Sequence, residues 1–254
     1  MSRLRPAPAA RYIHPKAAGL LEEEGDHDAD LDVASESAPN YLSWVADLCR
    51  ERLGHRVLEV GAGLGAITAR YEQGRDVVAN DVSPECVSAL HERFANHPNV
   101  RVEDRDLRTL AMDASFDSVL MVNVLEHIAD DAGALEGLSR LLVPGGNVVV
   151  YVPALNGLYG ALDRRIGHYR RYSVWRLGEV FREAGLEPVE LRWVNFVAIP
   201  AWAAFGRGNV DDRQRSGTLL SLWDRTAVPA GRVLEAHVRV PIGLNVLGVG
   251  RRHA

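Results

Sequence analysis

Residues 57–65 read Val57-Leu58-Glu59-Val60-Gly61-Ala62-Gly63-Leu64-Gly65, a short apolar run closed by a turn with three glycines. The run has the character of a strand buried on both faces, and residues 66–72 read as a helix. A strand, a glycine turn and a helix in succession gather backbone N–H groups and a helix N-terminus at one spot. A ligand can approach the main chain closely there. The spacing Gly61-x-Gly63-x-x-Ala66 also fits a dinucleotide fingerprint, but Gly65 follows Gly63 after one residue instead of two, which argues against it. A second strand, 76–80, leads to Asp81, twenty residues past Gly61, where a carboxylate can accept both hydroxyls of a ribose.

The alternation extends in both directions. Tyr41, Leu42, Trp44, Val45, Leu48, Cys49 and Leu53 recur at helical spacing up to Gly54. Ser83 caps a helix with Pro84 at its first position. Strands follow at 100–102 and 116–122, a helix at 130–142, a turn at Pro144-Gly145-Gly146 and a strand at 147–152. A helix at 173–184, a strand at 188–196 and a last strand at 244–249 complete the series. Strands apolar on both faces that alternate with helices predict an α/β fold, a doubly wound sheet covered on both sides. The long stretch 196–243 between the last two strands reads as a helical cap insertion. Its apolar residues suit an acceptor wall, a membrane surface or a contact between copies, and the cap is the preferred reading. Oligomer formation stays open.

Composition narrows the class. The 254 residues carry 29 Lys+Arg against 34 Asp+Glu, a net charge of −5, and 47% are apolar. That is ordinary for a globular protein and excludes collagen, coiled coil and disulfide scaffold. Two cysteines outside any metal-ligand spacing suggest a reducing, cytoplasmic setting, and no apolar run is long enough to span a membrane. Residues 20–36 hold eight carboxylates and no Lys or Arg, so 1–36 reads as an acidic tail or lid. From residue 163 onward 15 Arg face 9 Asp+Glu. That basic excess permits RNA contact, yet no separate RNA-binding domain is visible and nucleic acid is not expected.

Around the glycine turn the chain resembles a known family. The stretch 57–65 is similar to the first motif of class I S-adenosylmethionine-dependent methyltransferases, and Asn80-Asp81 resembles the acidic end of their second strand. Asp104-Arg105-Asp106-Leu107 resembles the segment that reads adenine, 116–128 their fourth-strand motif, and Leu142-Val143-Pro144-Gly145-Gly146 the turn before their fifth strand. The resemblance implies a Rossmann-like, seven-stranded sheet with an antiparallel last strand, and S-adenosyl-L-methionine as cofactor. Glu59 and the backbone of Gly61, Gly63 and Gly65 would surround its methionine part. Asp81 would hold the ribose, Asp106 the adenine amino group and Leu107 the ring, with main-chain contacts at Asn123. The match is specific up to residue 152 and looser beyond.

Methyl transfer needs alignment and, for an oxygen acceptor, removal of a proton. The segment after the fifth strand contains Asp163 and then Gly167-His168-Tyr169-Arg170-Arg171-Tyr172. It looks like a subgroup of these methyltransferases with a D…G-H-x-R-R-Y stretch, several of which occur with glycosyltransfer or lipid-linked sugar pathways. His168 is the candidate base. Arg171, with Arg170, suits an acceptor phosphate or carboxylate, and Tyr172 would orient the acceptor through its hydroxyl. In some relatives a Glu-x-x-Glu-His cluster holds a divalent metal. Here Asn123 stands in the first place and no second histidine is near Glu126-His127 in sequence, so no metal is expected. The expectation is O-methylation of a small glycan-like or lipid-linked metabolite. A nicotinamide-dependent oxidoreductase and a non-catalytic cofactor-binding module are the rivals.

Overall fold

The computed structural model describes residues 38–106, 115–200, 202 and 213–253. The expected lid, 1–36, therefore lies outside the described residues, as do Leu107 and part of the cap, 203–212. Helix α1 (Pro39–Arg50) leads into β1 (Arg56–Val60), the glycine turn and the single-turn α2 (Thr68–Tyr71). Then come β2 (Asp76–Asn80), α3 (Pro84–Arg93), β3 (Val100–Glu103) and β4 (Phe116–Val122). Helix α4 (Asp131–Ser139), β5 (Leu142–Pro153), α5 (Ala161–Arg165) and α6 (Val174–Glu183) follow. Strand β6 (Leu186–Val194), helix α7 (Arg213–His237) and β7 (Asn245–Arg252) complete the chain. Ser83, Asp130 and Ser173 each cap the next helix by accepting a backbone N–H, which fixes where α3, α4 and α6 begin.

The sheet has seven strands in the order β3-β2-β1-β4-β5-β7-β6. The first five pair in parallel, while β7 runs antiparallel to both β5 and β6, as expected for the last strand. One local expectation is corrected. The glycines after Pro144 do not end an element: they bulge one continuous strand, with a register shift opposite Phe116–Ser118. A second irregularity, between Pro188 and Glu190, bends the outermost strand.

Strand alternation divides the core between the two faces of the sheet. Val148, Val150 and Val152 pack with Leu135, Leu177 and Phe181 from α4 and α6, whereas Val149 and Tyr151 pack with Leu42, Val45 and Leu90 from α1 and α3. Helix α6 comes close because β7 offers Gly248 and Gly250, where an added Cβ would sit 2.5 Å from Leu177 and 2.7 Å from Phe181. Within the stretch read as a helical cap, residues 213–237 form one long helix with Pro229 inside it. It lies beside α1, joined by Arg232–Asp47 at 2.7 Å and by Asp224, which accepts from the Asn40 and Tyr41 backbone at 3.1 and 2.8 Å.

Beneath the glycine turn Glu59 is buried, and its Oε2 accepts from Thr68 Oγ1 at 2.6 Å and Tyr71 Oη at 2.7 Å. One carboxylate thus ties β1 to α2. Burial pushes Glu59 up from 4.5 to about 7, against the pull of those two hydrogen bonds. The folded state then holds this proton more tightly than the unfolded one, so the group's contribution is full below pH 4.5 and lost as pH rises through about 7. We expect unfolding free energy, read by urea titration at about pH 5 and pH 8, to fall more in the wild type than in Glu59→Gln. Parallel profiles would remove Glu59 as the source of that slope. Phe181→Ala, which empties the space between α6 and β7, should cost about 3–5 kcal/mol in the same assay without moving the slope.

Candidate active site

The site lies at the C-terminal ends of β1, β2 and β4. Gly61 and Gly65 have φ of 66° and 77°, and a Cβ on Gly61 would fall 2.5 Å from Val124 Cγ2. Only glycine fits there. The contact also shows that the glycine turn packs directly against the segment leading into the 3-10 turn Leu125–His127. Gly63 donates its N–H to Asp81 Oδ2 at 2.9 Å, and Ser83 N–H reaches Asp81 Oδ1 at 3.0 Å, so Asp81 is held facing the turn. Asn80 was read only as part of a motif, yet it has its own task. Its side-chain amide donates to the carbonyls of Glu103 and Arg105, pinning the run that leads to the half-buried Asp106. Asn123 is exposed with φ of 53°, its N–H on the Tyr151 carbonyl at 2.8 Å. Glu59 departs from expectation: its carboxylate turns inward to α2 and supports the turn from behind.

The second cluster is built around Asp163, buried at the start of α5. Its oxygens accept from Gly160 N–H (2.9 Å), His168 Nδ1 (2.9 Å) and Arg171 Nε (2.8 Å). Burial opposes its charge, but these bonds prevail and hold Asp163 down at about 2. An ionised carboxylate can only accept, so His168 Nδ1 carries the proton and Nε2 faces Glu126 Oε1 at 3.8 Å. The His127 ring stands edge-on to that of His168, centroids 4.6 Å apart. Glu126 is fully buried, neither carboxylate oxygen has a hydrogen-bond partner among the described residues, and desolvation pushes it up to about 8.

Two acceptor-side expectations are corrected by this geometry. Arg171 is buried, spends its guanidinium on Asp163 and the Ala154 carbonyl, and lies 4.6 Å from the Trp202 ring centroid. A side chain so enclosed positions its neighbours and leaves no fork for an acceptor. Tyr172 is likewise sealed in the core, its hydroxyl 2.9 Å from Asp131, which Arg170 also pairs at 2.6 Å. Motif spacing placed both residues correctly in the chain but could not reveal which way they point. The ground for expecting no metal is corrected too. Glu126, His127 and His168 offer ligand atoms within 4.8 Å of one another, the second histidine arriving from the connection between α5 and α6. One carboxylate and two imidazoles form a donor set that suits a divalent ion such as zinc.

Comparison with known proteins gives this site its context. A family model described as a methyltransferase domain matches residues 58–150. The chain is 32% identical over 199 residues to a ubiquinone biosynthesis O-methyltransferase of Paracidovorax citrulli, covering 71% of this chain and 83% of that one. It is 34% identical over 129 residues to an uncharacterized 37.1 kDa protein in transposon Tn4556 of Streptomyces fradiae, covering 49% of this chain and only 37% of the relative. Among solved structures, Burkholderia thailandensis 1,6-didemethyltoxoflavin-N1-methyltransferase, with 1,6-didemethyltoxoflavin and S-adenosylhomocysteine bound, shares the fold. Its TM-score is 0.58 at 22% identity, covering 98% of this chain and 94% of that one. With the glycine turn, the strand order and the antiparallel last strand alike in place, the chain belongs to the class I S-adenosylmethionine-dependent methyltransferases.

Proposed function

We propose that this enzyme methylates a hydroxyl oxygen of a small glycan-like or lipid-linked acceptor, with His168 as the base that takes the hydroxyl proton. The observation that carries the reading is adjacency. The turn 61–65 packs on Val124, and two residues further on Glu126 meets His168, so a cofactor cradle and a proton acceptor share one crevice. The chain's residues fit S-adenosylmethionine. The turn leaves no room for a Cβ at Gly61 or Gly65, and the exposed edge of the Asp81 carboxylate keeps lone pairs for ribose hydroxyls beyond its two backbone bonds. Asp106 and Leu107 would contact the adenine, with Gly61, Gly63 and Asn123 offering main-chain contacts to the methionyl group.

Bound cofactor supplies an activated methyl group on its sulfonium. Asp163, ionised and fixed by Arg171 and Gly160, keeps His168 in the tautomer whose Nε2 is free to accept. As the acceptor oxygen took the methyl group and the carbon–sulfur bond broke to leave a neutral thioether, its proton would pass to that nitrogen. Transfer to oxygen is supported by the name of the 32% identical relative, and a sugar-like acceptor by the resemblance around 163–172. A second reading is favoured by the unpartnered Glu126 oxygens: Glu126, His127 and His168 would hold a divalent cation that fixes the acceptor oxygen.

Calorimetric titration with S-adenosylhomocysteine, followed by a labelled-methyl assay on sugar, prenyl-phosphate sugar and prenylated phenol acceptors, tests the proposal. Asp81→Ala should weaken binding by about 1.5–3 kcal/mol. His168→Ala should bind the product as the wild type does yet lose about 10²–10⁴ in turnover. Wild-type turnover in His168→Ala would end its role as base. Transfer abolished by EDTA and restored by zinc or magnesium would select the cation reading, and transfer indifferent to EDTA would exclude it.

A further inference from the structure

Helix α7 has an outward surface that its own packing does not explain. Its inward residues Asp224, Val228 and Glu235 are buried. Facing away from the fold, Leu222, Val233 and Leu234 are 58%, 65% and 45% exposed, and Val238 and Ile242 continue the apolar strip beyond the helix. Exposed Arg225, Arg232 and Arg239 accompany them. The only carboxylates between 220 and 242 are Asp224 and Glu235, and both point inward, one onto the start of α1 and the other onto the backbone N–H groups of Asn195 and Phe196. The charged side chains that α7 itself turns outward between 220 and 242 are therefore all arginines, set among apolar ones. Arg232 shares Asp47, while Arg225 has no ion-pair partner among the described residues.

The chain itself contains a segment of matching chemistry. Residues 20–36 carry Glu22, Glu23, Glu24, Asp26, Asp28, Asp30, Asp32 and Glu36, no Lys or Arg, and the apolar Leu20, Leu21, Leu31 and Val33. The segment joins the fold where α7 lies. Asn40 and Tyr41 donate to Asp224, and the Tyr41 ring stands 5.6 Å from that of Trp223. From Leu222 to the helix end at His237 the strip is ~22 Å long at helical rise, a span that about seven extended residues cover. Seventeen residues suffice to turn back and follow it. We propose that residues 20–36 dock along this face, their carboxylates on Arg225, Arg232 and Arg239 and their leucines on Leu222 and Val233. Docked in this way, they strap α1 to α7 from outside.

The full-length chain tests this directly. Both native cysteines are buried, so a nitroxide on Ala29→Cys labels one place. At low salt it should broaden the amide signals of 222–239 within the same molecule. The broadening should shrink in about 1 M salt, where screening is short-ranged. It should also shrink in Arg225→Glu/Arg239→Glu, whose exposed positions leave the helix intact by circular dichroism. Adding Glu22→Lys, Glu23→Lys and Glu24→Lys to that variant should restore it. Three results would overturn the proposal: no broadening of 222–239, broadening only when labelled and unlabelled chains are mixed, or broadening that charge reversal leaves unchanged. Full-length chain that sediments with phosphatidylglycerol vesicles, and ceases to with Val233→Asp, would give the face to a lipid surface instead.

Discussion

The site depends on one topological constraint, the reversal of strand order between β1 and β4. From β1 the chain winds outward to β3, then returns to begin again on the other side of β1. The connections on the two sides leave in opposite directions, so a crevice opens between the ends of β1 and β4. The residues read as the cofactor side of the site gather at its rim. The glycine turn leaves β1, Asp81 follows β2, and Leu125–His127 follows β4. The tight fit of Gly61 on Val124 makes the two lips of the crevice a single packed unit. A larger residue at Gly61 would push the lips apart, and both ligand contacts would move together.

Asp163 plays a comparable part on the acceptor side. A buried carboxylate is costly unless its charge is met, and here a backbone N–H, an imidazole and a guanidinium all meet it. The charge of Arg171 is consumed in that balance, which is why an arginine of a conspicuous motif does not reach into the crevice. Glu126 has no such company. It sits fully buried beside two imidazole rings, neither oxygen hydrogen-bonded to a described residue. Its need for a proton, an acceptor hydroxyl or a cation follows from solvation alone.

The fold was largely legible because its signals are local. Runs of β-branched residues, the Ser83 cap and the glycine turn all act within a few residues, and each was placed correctly. The place of Asp81 at the end of β2, facing the turn, was legible for the same reason. What sequence could not give was orientation and long-range company. Glu126 and His168 are 42 positions apart in sequence and become neighbours only through the connection between α5 and α6. Tyr172 stands in a motif yet faces the core, because its backbone pairs with Ala154 and its hydroxyl finds Asp131. The glycines in β5 read as a turn because a bulge and a turn call for the same residue types.

The outermost strand carries a consequence of a different kind. Strand β6 borders the sheet and offers backbone groups to any chain that comes alongside. Pro188 lacks an N–H, and the register breaks beside it. The Arg52 fork grips Glu190 at 2.7 and 2.8 Å, anchoring that irregular stretch to the end of α1. An incoming strand would lose both hydrogen-bond rhythm and flatness at this point, and the growing ladder would stop there. The bend in β6 thus guards the edge against templated aggregation, although the exposed Val189 beside it is the kind of residue that would otherwise invite it.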